Sequence, residues 1–127
     1  MLTEFQLKQD EPSSIKRWFQ DDYFDLFIWQ NNTSGQIISF QLCYDRLGNE
    51  RVISWDQERG FGHHCVDDGE SSPYKNMTPI FVKEGVFSSY NEVVPKLIQS
   101  GRQISKDITS FILQKLDEYV LRYPTIY

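Results

Sequence analysis

The sequence has two cysteines, two histidines, no basic run longer than Lys16-Arg17, and no apolar run near the ~20 residues that a membrane-spanning helix needs. Each scarcity excludes something. Cys43 and Cys65 lie in separate strand-like segments, which predicts free buried thiols in a reducing compartment and no disulfide framework. Affinity for nucleic acid draws on clustered Lys and Arg that release counterions. Here 13 Lys+Arg are outnumbered by 18 Asp+Glu spread along the chain, for a net charge of −5. A phosphate backbone would be repelled, so no nucleic-acid partner is expected. The lack of a spanning run predicts no membrane partner. Met1 to Lys8 has no basic start followed by an apolar run, so a secretory signal is not expected and a cytoplasmic location is. No repeat, low-complexity tract or long Pro/Gly/Ser linker divides the chain, and residues 1–127 read as a single domain.

Large apolar side chains are plentiful. Aromatics make up 15% of the residues, as three Trp, nine Phe and seven Tyr. A chain of this length buries somewhat over ~60% of its unfolded surface, so one core suffices without a metal or cofactor.

Strand signals fill the first two thirds. Residues 2–8 alternate weakly, up to a break at Asp10-Glu11-Pro12-Ser13-Ser14. Residues 24–30 are apolar on both faces toward their end, which suits a central strand. Asn31 to Gly35 reads as a hairpin loop, because Asn and Gly tolerate positive φ. In residues 36–45, Ile38, Phe40, Leu42 and Tyr44 alternate with Ser39, Gln41, Cys43 and Asp45, which predicts one packed face and one more polar face. A turn at Arg46-Leu47-Gly48-Asn49 leads to a strand over 50–56, and Gln57 to Gly60 turns into another over 61–66. Pro79-Ile80-Phe81-Val82 suits a short edge strand.

The last third changes period. Ser89-Tyr90-Asn91-Glu92 has capping-box spacing before Val93, Val94, Leu97 and Ile98, Pro95 interrupts the first turns, and Gly101 stands where that helix should stop. Ser105 caps a second helix over 106–121, whose stripe is Ile108, Phe111, Ile112, Leu116, Tyr119 and Val120, with Glu118 and Arg122 spaced as an i, i+4 pair. Strands followed by helices predict an α+β fold: an antiparallel β-meander of four to six strands with two carboxy-terminal helices packed on one face.

The chemistry-bearing residues concentrate in Gly62-His63-His64-Cys65-Val66-Asp67-Asp68-Gly69-Glu70. On a strand His63, Cys65 and Asp67 share one face, and imidazole, thiolate and carboxylate are all zinc-type ligands. Residues two apart diverge, however, and no second ligand pair at C-x-x-C or H-x-x-x-H spacing exists, so the plainer reading is a strand end. A second reading makes His63 or His64 a general base oriented by Asp67 or Asp68, with Cys65 as nucleophile. A strand thiol without a cationic neighbour is more often a small hydrophobe. Asp67, Asp68 and Glu70 lack the alternating ligands of a calcium loop, and the twelfth position is Thr78. Gly60-Phe61-Gly62 lacks the Lys-Ser/Thr of a phosphate loop and reads as a tight turn. Trp18, Phe19, Tyr23, Phe24, Phe27 and Trp29 could line a groove, but at strand spacing they read as core.

Three phrases look familiar together: Phe24-Asp25-Leu26-Phe27-Ile28-Trp29, Phe40-Gln41-Leu42-Cys43-Tyr44-Asp45, and Ser54-Trp55 with Gly60 to His63 and Val66 to Glu70. They resemble a family of short uncharacterised bacterial proteins of unknown function, of the kind structural-genomics projects solve. The resemblance spans about residues 18 to 112 and implies a small stand-alone cytoplasmic protein, with no catalytic residue carried over. The expectation is a non-catalytic protein-binding or accessory protein, or a homodimer. Its partner surface would be the 67–78 loop, where Asp67, Asp68 and Glu70 adjoin Tyr74, Lys75 and Met77. The alternative is a metal- or histidine-dependent hydrolase using the His63 to Glu70 cluster.

Overall fold

The computed structural model describes residues 1–9, 12–48, 50–65 and 89–122, apart from the side chains of His64 and Cys65. Six strands form one sheet in sequence order, every neighbouring pair antiparallel: β1 (Thr3–Phe5), β2 (Ser14–Gln20), β3 (Phe24–Asn31), β4 (Ile37–Tyr44), β5 (Arg51–Asp56) and β6 (Gly60–Cys65). Helices α1 (Tyr90–Ser100) and α2 (Lys106–Arg122) follow, joined through a 3₁₀ turn at Gly101–Gln103. This is the α+β meander with carboxy-terminal helices that the hydrophobic periods predict. None of the described helices is long and apolar enough to cross a membrane.

Three of the hairpin corners use one device. Asp21 Oδ1 accepts from the backbone N–H of Tyr23 and Phe24, Asn31 Oδ1 from Thr33 and Ser34, and Asp56 Oδ1 from Glu58 and Arg59. A short side chain that satisfies two backbone donors makes each turn local, so it needs nothing from the rest of the fold. Gly35 and Gly60 finish two of these corners at φ 77° and 88°, where a side chain would be strained.

β2 is the strand that the periodic reading left out. Its Lys16 and Arg17 interrupt the apolar pattern, yet their charged ends lie over aromatic rings: Lys16 Nζ is 5.1 Å from the Phe27 ring centre and the Arg17 guanidinium carbon 5.2 Å from that of Phe19. Arg17 also donates to both carboxylate oxygens of Glu4, at 2.8 and 2.9 Å, which holds the Glu4 pKa below its ordinary value. Beyond β1, the Gln9 amide continues the pairing, donating to Lys16 O and accepting from Lys16 N, both at 2.9 Å.

One buried cluster joins the helices to the sheet. Phe19, Phe24, Leu26, Ile28, Phe40, Leu42, Tyr44 and Ile53 meet Val93 and Leu97 of α1 and Ile108, Ile112, Leu116 and Tyr119 of α2. Phe111 is half-buried, edge-on to Phe40 at 6.5 Å and to Trp55 at 5.3 Å. The register shift between Trp29 and Gln30 is a bulge that corrects the expected alternation of β4: Ile37 takes the core position and Ile38 stays half-buried outside the cluster.

The helix ends differ in detail from their sequence signals. Ser89 precedes α1, but its side chain makes no capping bond, so the capping box does not form. Pro95 is carried inside α1, which starts five residues earlier at Tyr90. Gly101 ends α1 at φ −86°, so its missing side chain serves a close approach: a Cβ there would stand 3.0 Å from Thr109 Oγ1 of α2. Ser105 Oγ accepts from Asp107 N as expected of a cap. Glu118 pairs with Lys115 at 3.3 Å, while Arg122 lies over the Phe61 ring, so the anticipated Glu118–Arg122 pair gives way to these contacts. Gly60, Phe61 and Gly62 belong to β6, and the turn before them is residues 57–59.

Leu116 is fully enclosed, so Leu116→Ala is expected to lower unfolding free energy by ~2–5 kcal/mol in urea denaturation. A second expectation concerns Tyr23. Burial, then the negative charges of Glu92 and Asp45, push its pKa up to about 12 from an ordinary value near 10. The folded state therefore holds this proton more tightly than the unfolded state. The stabilisation is complete below pH 10 and disappears as pH rises toward 12, and the pH profile of Tyr23→Phe should lack that component.

Candidate functional site

β6 pairs His63 with Ile53, His64 with Val52 and Cys65 with Arg51. Strand alternation therefore places His63, opposite Ile53, on the helix-covered face. The His63 side chain is 1% exposed. Its Nε2 is hydrogen-bonded to the Tyr44 hydroxyl at 2.7 Å, its ring lies parallel to Tyr44, and Tyr119 of α2 meets it edge-on at 5.8 Å. A general base must reach its substrate directly or through one water. His63 is instead enclosed between the sheet and α2. Asp67, Asp68, Glu70, Tyr74, Lys75 and Met77 lie outside the described residues. Among the described residues no group of three or more His, Cys, Asp or Glu side chains converges on a metal position. Cys43 is buried.

The opposite face of the sheet carries no described helix, and its register builds three rows across the strands. One row runs Phe5, Trp18, Phe27, Gln41, Ser54, Gly62 in direct cross-strand pairing. The rows beside it include Gln20, Asp25, Cys43 and Val52 on one side, and Lys16, Trp29, Ser39, Asp56 and Gly60 on the other. Phe5 and Trp18 ring centres are 4.9 Å apart, Trp18 stacks on Phe27 at 5.7 Å and 5°, and Phe27 meets Trp29 at 6.5 Å. Lys16 Nζ lies over both Phe27 and Trp29, 5.3 Å from the latter. Asp25, 8% exposed, is satisfied by Trp18 Nε1 at 2.6 Å and Gln20 Nε2 at 3.1 Å.

These aromatics divide between the two faces. Phe19 and Phe24 enter the helix-side core, whereas Trp18, Phe27 and Trp29 form the row opposite it. The sequence marked β3 as a central strand, apolar on both faces toward its end. The partner strand β2, which aligns Trp18 with Phe27, was not marked.

At one end of this face the small residues Ser39, Ser54 and Gly60 leave a cleft of about 90 Å³, walled by Trp29 and reached by Gln41, Asp56 and Arg59. Gln41 is 4% exposed, and its Oε1 is buried without a hydrogen-bond partner among the described residues. Apart from Trp29, which the sequence offered as a groove-lining aromatic, no signal marked these residues, because they come together only through pairing across four strands.

Compared with protein-family models, curated proteins and solved structures, the chain matches none. The site is therefore interpreted from its own chemistry.

The Tyr44 to His63 bond gives a direct check. Tyr44→Phe removes the hydroxyl and leaves Nε2 without that partner in a dry site, at an expected cost of ~1–3 kcal/mol in urea unfolding. In a His64→Gln background, where His63 is the single imidazole, carbethoxylation by diethyl pyrocarbonate should track unfolding rather than proceed on the folded protein.

Proposed function

We propose that the protein is a non-catalytic binding and accessory protein, cytoplasmic, whose working surface is the face of its sheet opposite the described helices and whose partner is a basic protein. The observation that carries this reading is the chain of ring contacts through Phe5, Trp18, Phe27 and Trp29, of which Phe5 is 41% exposed and both Trp are half-buried. Tryptophans fixed by neighbours supply contact area at little entropic cost and dominate the energetics of protein interfaces. The net charge of −5 favours a basic partner, and the acidic stretch Asp67, Asp68 and Glu70 follows directly after β6 in the chain. The hydrolase reading is disfavoured by the enclosure of His63, since its imidazole is already engaged in the packing that joins α2 to the sheet.

The test is capture from the native cell on immobilised protein, with size measurement of the pure chain. A basic protein should be retained, with binding that weakens steeply as salt rises and falls with Trp29→Ala and with Asp67→Lys/Asp68→Lys, while circular dichroism stays unchanged. A salt-insensitive monomer that retains nothing reproducibly would defeat the proposal. A symmetric dimer buried through Trp18 and Trp29 would replace the basic partner with a second copy.

A further inference from the structure

The cleft beside Trp29 contains more chemistry than a protein contact needs, and it supports an inference independent of the protein-binding proposal. We propose that it is a binding site for a small free α-amino acid, held as the zwitterion. With about 90 Å³ it lies well below the ~300–1,000 Å³ of pockets for drug-sized molecules, so its ligand has few heavy atoms. Small size alone selects no chemistry; the lining does. Asp56 offers a carboxylate whose Oδ1 is fixed by two backbone donors, at 2.9 and 3.1 Å, which leaves Oδ2 for a ligand cation. Gln41 offers a buried acceptor that currently receives no donor, a costly condition that an ammonium N–H would relieve. The terminal torsion of glutamine is soft, so the amide can turn toward a donor that enters. Arg59 brings a guanidinium, and its five N–H donors can serve a ligand carboxylate in addition to contacts within the fold. Ser39 and Ser54 supply hydroxyls that donate or accept, and the Trp29 indole is an apolar wall for a short side chain.

A purely cationic ligand would meet Arg59 together with Lys16, whose Nζ stands 5.3 Å from the Trp29 ring centre. A purely anionic ligand would meet Asp56 and leave Gln41 Oε1 unpaired. A zwitterion whose ammonium and carboxylate are attached to one shared carbon satisfies both ends. The cleft exists because β4, β5 and β6 each place a small residue there, and a larger residue at Ser39, Ser54 or Gly60 would fill it.

The experiment is calorimetric titration of the full chain with L-alanine and L-serine, alongside their N-acetyl and amide derivatives, with the Trp29 indole N–H followed by NMR. Both free amino acids should bind and shift that resonance. Acetylation, which removes the ammonium, and amidation, which removes the carboxylate, should each weaken binding about ten- to a hundredfold, as expected for a lost charge-assisted contact. Arg59→Gln, at an exposed position, should abolish discrimination between acid and amide. Gln41→Leu should weaken binding about two- to tenfold without lowering unfolding stability, because it also removes an unsatisfied buried acceptor. No binding at ~10 mM amino acid, a range that covers the weak affinities of such small ligands, would overturn the site. Equal binding of acid and amide would also overturn it, as would affinity unchanged in Arg59→Gln.

Discussion

The pairing of β3 with β4 is the constraint on which the rest depends. Leu26 stands opposite Leu42 and Phe27 opposite Gln41, and a slip of one residue would send every side chain of a strand to the other face. Held in register, one face of the two strands presents Phe24, Leu26, Ile28, Phe40, Leu42 and Tyr44 to the helices, all of them at most 1% exposed. The other presents Asp25, Phe27, Trp29, Ser39, Gln41 and Cys43. Local turn chemistry holds the register at one end, through the Asn31 carboxamide, and the bulge at Ile38 absorbs the extra residue that would otherwise rotate Ile37 out of the core. From this single pairing follow both the place where α2 docks and the composition of the opposite face.

Elements with a local cause were legible in the sequence. The corner at Asn31 to Gly35 carries its own acceptor and its own positive-φ residue, and the stripe of α2 needs only the helical period to be seen. β2 was hidden for a physical reason. Lys16 and Arg17 break the apolar alternation, and their role in covering aromatic rings is visible only when β3 and β1 are beside them. Ile38 was assigned to the core because a bulge has no dependable mark in a uniform β-branched pair. The Ser89 capping box failed because spacing alone does not orient a hydroxyl toward an N–H, whereas at Ser105 the same residue type makes the bond.

The chemistry followed the same division. The His63 to Glu70 run stands out in sequence because reactive residue types are adjacent, but adjacency along a strand separates alternate side chains to opposite faces. His63 goes to the aromatic core, where Tyr44 and Tyr119 fix it, and its value there is directional: a polar ring inside an apolar layer specifies one seating of α2 on β6. The residues that converge on the other face, Trp29, Gln41, Ser54 and Asp56, are scattered over 28 positions and belong to no motif. Convergence of this kind is a property of register, which a single sequence expresses only indirectly.

Among the described residues, buried polar atoms without a hydrogen-bond partner occur on both faces: the Tyr23 hydroxyl beside the helices and Gln41 Oε1 on the far side. On the helix side the embedded histidine has its hydroxyl partner, and Lys115 at the rim is taken up by Trp55, Phe111 and Glu118. On the far side Asp25 is satisfied by two donors, yet Gln41, one strand away and more deeply buried, has an acceptor unmatched among the described residues. Folding alone gives no reason to retain a glutamine there, since an apolar side chain of similar size would remove the desolvation cost. An acceptor kept at a cost to stability, next to a cleft bounded by an indole, a carboxylate and a guanidinium, is better explained by what enters the cleft than by what holds the sheet together.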